Sequence, residues 1–150
     1  MTSIALNKKA SFNYHIHEKI EAGIVLKGWE VKGLRMAKAQ ITEGHIIIRQ
    51  RQIFLIGTSI QAPEYASKNI LCEIQRTRKL LMHKKQITKL EGQAQRSSYS
   101  IIPLKLYWKK NKVKCEIALV SGKKKHDKRQ SLKEKDWNRQ KQSLFKKSLS

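Results

Sequence analysis

The chain has 150 residues, 33 of them Lys or Arg against 11 Asp or Glu, for a formal net charge of +22 at neutral pH. Solubility alone needs a net charge of only about 2–8 in magnitude, so this excess points to a polyanionic partner, nucleic acid before a membrane surface. The longest uncharged run, Gln52 to Pro63, is too short to span a bilayer, residues 1–20 lack the apolar segment of a secretory leader, and Cys72 and Cys115 make no disulfide framework; no membrane and a reducing, cytoplasmic compartment are expected.

In chain order, the first expected element is a short helix over Asn13–Glu21, on which Glu18 and Glu21 form a solvated face. The run GIVLKGWEVKGLR, Gly23–Arg35, reads as a strand pair with a bulge or bend at Gly28. Two β-branched runs in His45–Ile60 flank Arg49–Gln52 and read as a hairpin. A helix is predicted over Arg78–Glu91, with Thr77 as N-cap, Gly92 as stop and Leu80, Leu81, Ile87 and Leu90 as its apolar stripe. Leu104, Leu106 and Trp108 alternate with polar neighbours, as do Val113, Cys115, Ile117 and Leu119. Lys109–Asn111 joins these two strands as a hairpin turn. Many short strands with two or three short helices predict a mainly β body over residues 1–120, a small antiparallel barrel of the oligonucleotide-binding type.

The core pattern stops at Ser121–Gly122. Residues 121–150 hold eleven Lys or Arg, three acidic residues and only five large apolar side chains, Leu132, Trp137, Leu144, Phe145 and Leu149. So few apolar groups do not offset the entropy of ordering, so a tail disordered in the free protein is expected. On a helix, Trp137, Leu144, Phe145 and Leu149 would fall within one arc of about 140°, which suits a limb that orders on a partner.

Catalytic signatures are missing: there is no phosphate-binding glycine loop, no G-x-S-x-G elbow and no Cys-x-x-Cys. His15 and His17 have no nearby Cys and make a poor metal site. The expectation is a protein that is not an enzyme and needs no cofactor or metal. Material for RNA recognition is better. Lys and Arg supply phosphate contacts, and Tyr14, His15, His17, Trp29, Tyr99, Tyr107, Trp108 and Trp137 are candidates for stacking on bases, Tyr14 and His15 foremost because they stand in a polar stretch. Trp29 and Trp108, in apolar strands, read as core. Arg76, Arg78 and Lys79 open the expected second helix, where a bound phosphate would relieve their opposition to the helix dipole.

Six ordered blocks then carry a resemblance: ALNKKA (5–10), IEAG (20–23), GWEVKGLR (28–35), RTRKLL (76–81), LYWKKNKVK (106–114) and GKKKHDKR (122–129). The chain resembles the SmpB, or SsrA-binding, protein family over essentially its full length. The resemblance implies a monomeric RNA-binding adaptor that carries the tRNA-like domain of tmRNA to stalled 70S ribosomes for trans-translation. Its tail would become helical in the empty mRNA channel and report on the decoding centre. It also implies an RNA surface at Glu21, Leu81 and Lys114, with Asn7, Tyr14, Glu30, Lys32 and Arg35 as further contacts. Glu21 would accept from an amino or 2′-hydroxyl group, Lys114 would meet phosphate, and Leu81 would pack under a base or hold its helix. In the tail, His126, Asp127, Lys128 and Arg129 match the segment near the decoding centre, Trp137 matches the anchor of the channel helix, and Lys123 and Lys124 belong to the same ribosome-binding tail. Two departures stand out: Gly33 replaces the family's usual Ser, which should loosen a strand, and Arg49–Gln52 lacks Asp-Gly, which should slacken that hairpin. Composition alone leaves open a ribosomal or translation-factor protein that binds rRNA structurally.

Overall fold

The computed structural model describes residues 2–64 and 73–123. Strand β1 (Thr2–Leu6) leads through one helical turn, α1 (Ala10–Asn13), into the long strand β2 (Tyr14–Ile24). Helix α2 (Gly28–Arg35), the short β3 (Ala39–Gln40) and the hairpin β4 (His45–Arg49) and β5 (Gln52–Ile56) follow. Then come β6 (Ser59–Ile60), β7 (Arg78–Leu81), helix α3 (Lys84–Ser97) and the hairpin β8 (Ser100–Lys109) and β9 (Lys112–Gly122). Seven strands form one antiparallel sheet in the order β1-β8-β9-β2-β7-β5-β4, and β3 pairs with β6 beside it.

Both hairpins lie where the alternation placed them. Their turns put Gln50 and Arg51 at φ 51° and 60°, and Lys110 and Asn111 at 51° and 63°. Positive φ at both central residues is the two-residue turn whose twist matches the strands it joins. The first hairpin is therefore tight, not slack. The missing Asp-Gly instead forces Gln50 and Arg51 into a left-handed backbone that side chains disfavour. Register shifts in β1, β2 and β8 bend the sheet, and Pro103 sits at the shift in β8, where the ladder has no use for its absent N–H.

The inner face of the sheet buries Ala22, Ile53, Leu55, Leu80, Leu106, Cys115, Ile117 and Leu119 beneath Leu34 of α2 and Ile87 and Leu90 of α3. Each such aliphatic side chain contributes about 1.5–3 kcal/mol by leaving water. Burial pushes the Cys115 thiol up to about 12, so it acts as a small apolar filler. A second cluster, Ala10, Ile102, Ala118 and Val120, covers the opposite face at one end. Trp29 is buried and Trp108 half-buried against the core, as their apolar surroundings implied. Cys72 lies outside the described residues.

Three expectations fail here. Asn13–Glu21 is not a helix: all but its first residue belongs to β2, which pairs along most of its length with β9, so Glu18 and Glu21 point to opposite faces. Gly23–Arg35 is not a strand pair: from Gly28 it is α2, whose buried residues Trp29, Glu30, Gly33 and Leu34 recur at helical spacing. Arg78–Leu81 does not open a helix: it is β7, inserted between β2 and β5, with Arg78 and Leu80 facing in and Lys79 and Leu81 facing out. The helix begins six residues later, runs through Gly92, and ends at Ser98 in the left-handed region. Strand β9 continues through Ser121 and Gly122, past the point where the alternation of the sequence stops, and the Lys123 N–H donates to the Asn13 carbonyl at 3.0 Å.

Gly33 is a helix residue packed against backbone, not a loosened strand position. A Cβ there would stand 2.0 Å from the Gln61 carbonyl oxygen. We expect Gly33→Ala to lower unfolding stability by about 2 kcal/mol, the cost of moving the backbone just after β6 away from the helix. A urea titration checks it, and an unchanged midpoint contradicts so close an approach. Among the described residues, no helix is long and apolar enough to cross a membrane.

Candidate nucleic-acid interface

On the outer face, antiparallel pairing places side chains of neighbouring strands side by side. Tyr107 of β8 pairs with Lys114 of β9, Lys114 with Gly23 of β2, and Gly23 with Leu81 of β7. One continuous row therefore reads Tyr107, Lys114, Gly23, Leu81. The row separates two hollows. One, of about 500 Å³, is lined by Glu21, Lys114, Leu81, His83 and Gln86. The other, of about 340 Å³, is lined by Leu26, Leu81, Trp108, Asn111 and Lys114.

Glu21 is fixed before anything binds. The Tyr107 hydroxyl donates to its Oε2, and the Lys109 ammonium lies 3.2 Å from both carboxylate oxygens. The Tyr107 hydrogen bond, with Lys109 and Lys114 adding their charges against a modest burial penalty, holds the Glu21 carboxyl below its ordinary value. Burial and the Glu21 carboxylate push the Tyr107 phenol well up, so it is a donor at any physiological pH. Lys105 lies 5.2 Å above the Tyr107 ring. Leu81 is 54% exposed, an apolar side chain among cations and carboxylates. Its solvent exposure removes the alternative that it belongs to a helix stripe.

Below this face, Glu30 is fully buried and holds two arginines. Its Oε1 accepts from Arg76 at 2.5 Å and from the Lys27 N–H at 2.7 Å, and its Oε2 accepts from Arg78 Nε at 2.6 Å. Arg78, also fully buried, further donates to the Thr58 carbonyl and hydroxyl at 3.1 Å and to the Ile74 carbonyl at 2.9 Å. Burial alone would raise the Glu30 carboxyl, but the hydrogen bonds from Arg76, Lys27 and Arg78 outweigh it and hold the group below its ordinary value. Burial pulls the Arg78 guanidinium down, with Glu30 opposing. Glu30 and Arg78 are thus corrected: neither faces solvent, and together they pin α2 to β7 and to the β5–β6 link at Thr58. Arg76 shares that network and is only partly exposed.

The remaining expected residues divide by place. Lys32 and Arg35 are exposed on α2, and Lys79 is exposed on β7. Asn7 follows β1 and donates from Nδ2 to the Pro103 carbonyl at 2.9 Å. Tyr14 is half-buried against the second apolar cluster, while His15 is exposed. Two of the candidate aromatics stack on each other: the His17 and Tyr99 ring centroids are 4.2 Å apart, and His17 Nε2 meets Ser121 Oγ at 2.8 Å. Lys123 Nζ donates to the Ser11 carbonyl at 2.8 Å. Lys124, His126, Asp127, Lys128, Arg129 and Trp137 lie outside the described residues. Among the described residues no cluster of three His, Cys, Asp or Glu side chains could hold a metal ion. The sequence reading missed Gly23, Lys109, His83 and Gln86. The alternation of Lys105, Tyr107 and Lys109 was the available signal for β8, whereas nothing local marks His83 or Gln86 once α3 is started too early.

A family profile described as SmpB protein matches residues 4–147. The chain belongs to the SmpB family. An SsrA-binding protein of Chromohalobacter salexigens is 50% identical over 144 residues, which cover 96% of this chain and 92% of that protein. One from Leptothrix cholodnii is 46% identical over 148 residues, 99% of this chain and 96% of that protein. A solved structure described as "tmRNA-SmpB: a journey to the center of the bacterial ribosome" is similar with a TM-score of 0.64 and 30% identity, covering 85% of this chain and 92% of that one. The SmpB family blocks spread over β1, β2, α2, β7, β8 and β9, and the β2, β7, β8 and β9 blocks meet in the Tyr107-Lys114-Gly23-Leu81 row.

Proposed function

We propose that this chain is an RNA-binding adaptor, not an enzyme, that holds the tRNA-like domain of tmRNA and brings it to stalled 70S ribosomes for trans-translation. The observation that carries this is the family match across residues 4–147, joined to the convergence of Glu21, Leu81 and Lys114 on one solvent-facing site. The chemistry agrees. A fixed carboxylate accepts from an amino group or 2′-hydroxyl, an ammonium meets phosphate, and a bare apolar side chain meets a base, which suits folded RNA and no small anion.

Finer features belong to the same reading. The contact between edge strand β4 and β8 supports reading the bent sheet as a small barrel of the oligonucleotide-binding type. The body binds RNA, and the basic segment beyond Lys123, through His126, Asp127, Lys128, Arg129 and Trp137, enters the decoding centre and the empty mRNA channel as a helix. The protein works as a monomer in the cytoplasm, where ribosomes are.

A reconstituted translation reaction on a message lacking a stop codon tests the function. Addition of this protein with tmRNA should tag and release the stalled chain; no tagging under conditions where another SmpB-family protein supports it contradicts the proposal. Lys114→Ala should weaken tmRNA binding by about 1 kcal/mol and reduce the salt slope by about one phosphate contact. A filter-binding series at several salt concentrations measures both. Unchanged affinity at low salt would move the RNA to the other side of the sheet.

A further inference from the structure

We propose that His17 is a positioning residue for the tail: it clasps Ser121 at the root of the basic segment and fixes the direction in which that segment leaves the body. This rests on the adaptor reading above. Two irregularities of the backbone converge on the one contact. The first is the register shift in β2. Ile16 pairs with Val120 and Glu18 with Leu119, so His17 is the extra residue of a β-bulge. A bulge turns its side chain out of the regular alternation. His17 thereby reaches past its own level to Ser121, which pairs with His15, and its Nε2 lies 2.8 Å from the Ser121 hydroxyl. The second is the end of α3. Ser98 stands at φ 53°, in the left-handed region where helices usually place glycine, and the Tyr99 N–H donates to the Ala94 carbonyl at 2.9 Å. That turn lays Tyr99 flat on the imidazole, with centroids 4.2 Å apart and planes 10° from parallel. Tyr99 is itself half-buried against the core, so the exposed His17 rests on an anchored ring.

The clasp sits where the tail begins. Ser121 is fastened by His17, and two residues later Lys123 is fastened by the Asn13 and Ser11 carbonyls at 3.0 and 2.8 Å. The sequence then runs KKHDKR, residues 124–129. A strand end frays unless something holds it. A swinging root would spread the basic segment over many directions and lower its effective concentration at any one site. The fastening is robust to proton position. A hydroxyl both donates and accepts, so it bonds either imidazole tautomer and the protonated ring alike. It also stands apart from the RNA-binding row. Six residues of β2 separate His17 from Gly23, about 20 Å of strand. A change in the clasp therefore acts on the tail and leaves Glu21, Leu81 and Lys114 as they are.

The test compares the full chain as wild type, Ser121→Val, Ser121→Thr, His17→Ala and the double variant His17→Ala with Ser121→Val. Each is measured for equilibrium binding to tmRNA and for the rate of tagging a stalled chain at saturating protein. Val and Thr share one shape and both suit a strand, so they differ in the hydroxyl alone. A clasp predicts that Ser121→Val and His17→Ala bind tmRNA within about twofold of wild type yet tag about fivefold more slowly. Ser121→Thr should tag like wild type, which loss of mere strand packing would not allow. The double variant should be no slower than His17→Ala, because both changes remove the same contact. Wild-type tagging by Ser121→Val, a Ser121→Thr as slow as Ser121→Val, or losses that multiply in the double variant overturn the clasp. Weakened tmRNA binding by Ser121→Val overturns it too, and makes this end of the sheet an RNA contact. Each of these leaves the adaptor function standing; failure of wild type itself to tag contradicts the function on which the clasp rests.

Discussion

Truncation after Lys123 should leave tmRNA binding within about threefold of the full chain and abolish tagging of stalled peptides. The cut falls one residue past the end of β9. Strand β9 closes at Gly122, and Lys123 is held by the Asn13 and Ser11 carbonyls. The fragment keeps every strand pairing among the described residues, a net charge of +15, and Glu21, Gly23, Leu81 and Lys114. A cut two residues earlier, after Ser121, would remove the terminal β2–β9 pair at Gly122 and Lys123's bonds, and so confuse folding with function. The fragment lacks His126, Arg129 and Trp137, the residues assigned to the decoding centre and channel. Trp137→Ala in the full chain should produce a milder tagging defect, because an aromatic anchor typically carries a few kcal/mol of a docking energy. Binding and tagging are measured side by side for the three proteins. Normal tagging by the fragment removes the tail from the mechanism, and loss of RNA binding by it makes the tail part of the RNA site.

Glu30→Gln should lower unfolding stability by about 3–5 kcal/mol, the usual cost of removing one partner from a buried ion pair. The substitution leaves Arg78 fully buried without its carboxylate and Arg76 beside it. The pH dependence follows from the direction of the Glu30 shift. Its folded value lies below the ordinary 4.5, so its contribution is complete above that value and is lost as pH falls through the lower folded one. Wild type should therefore lose stability on acidification below about pH 4.5, and Glu30→Gln should show a flatter acid limb. The double variant Glu30→Gln with Arg78→Met should recover part of the loss, since the stranded charge is gone. Urea unfolding at pH 7 and pH 4 measures each. A single variant as stable as wild type would mean that α2 and β7 are held by apolar packing alone.

Those two residues also explain where the sequence was hard to read. Arg78 is an arginine at an inward strand position, so β7 shows no apolar alternation. Its counterion sits 48 residues away in a different element, where no local pattern reaches it. Without that pair the RTRK run looks like a helix start, and Leu80 and Leu81 are drawn into a false stripe. The true helix, α3, survives a glycine at 92 that costs roughly 1 kcal/mol, which is why its end was placed too early. Helix α2 was hidden by Val25, Val31 and Gly28, residues that favour strand or bend; the clue was Glu30 three residues after Lys27, accepting the N–H at the helix start. By contrast the two hairpins were legible throughout, because strict alternation and a polar two-residue turn need no distant partner. The interface was half legible. Glu21, Leu81 and Lys114 came from resemblance, and their meeting depends on the strand order β9-β2-β7, which no spacing reveals.

The most direct measurement is equilibrium binding of the purified full chain to the isolated tRNA-like domain of tmRNA, against an rRNA hairpin fragment of the same length, both at moderate salt. Counterion release alone gives a basic protein similar, salt-steep affinity for any folded RNA of that size. The adaptor function predicts a clear preference for the tRNA-like domain, on the order of a hundredfold, that Leu81→Ser reduces. Equal affinity for the two RNAs, untouched by Leu81→Ser, would contradict it and leave a general rRNA-binding protein in its place.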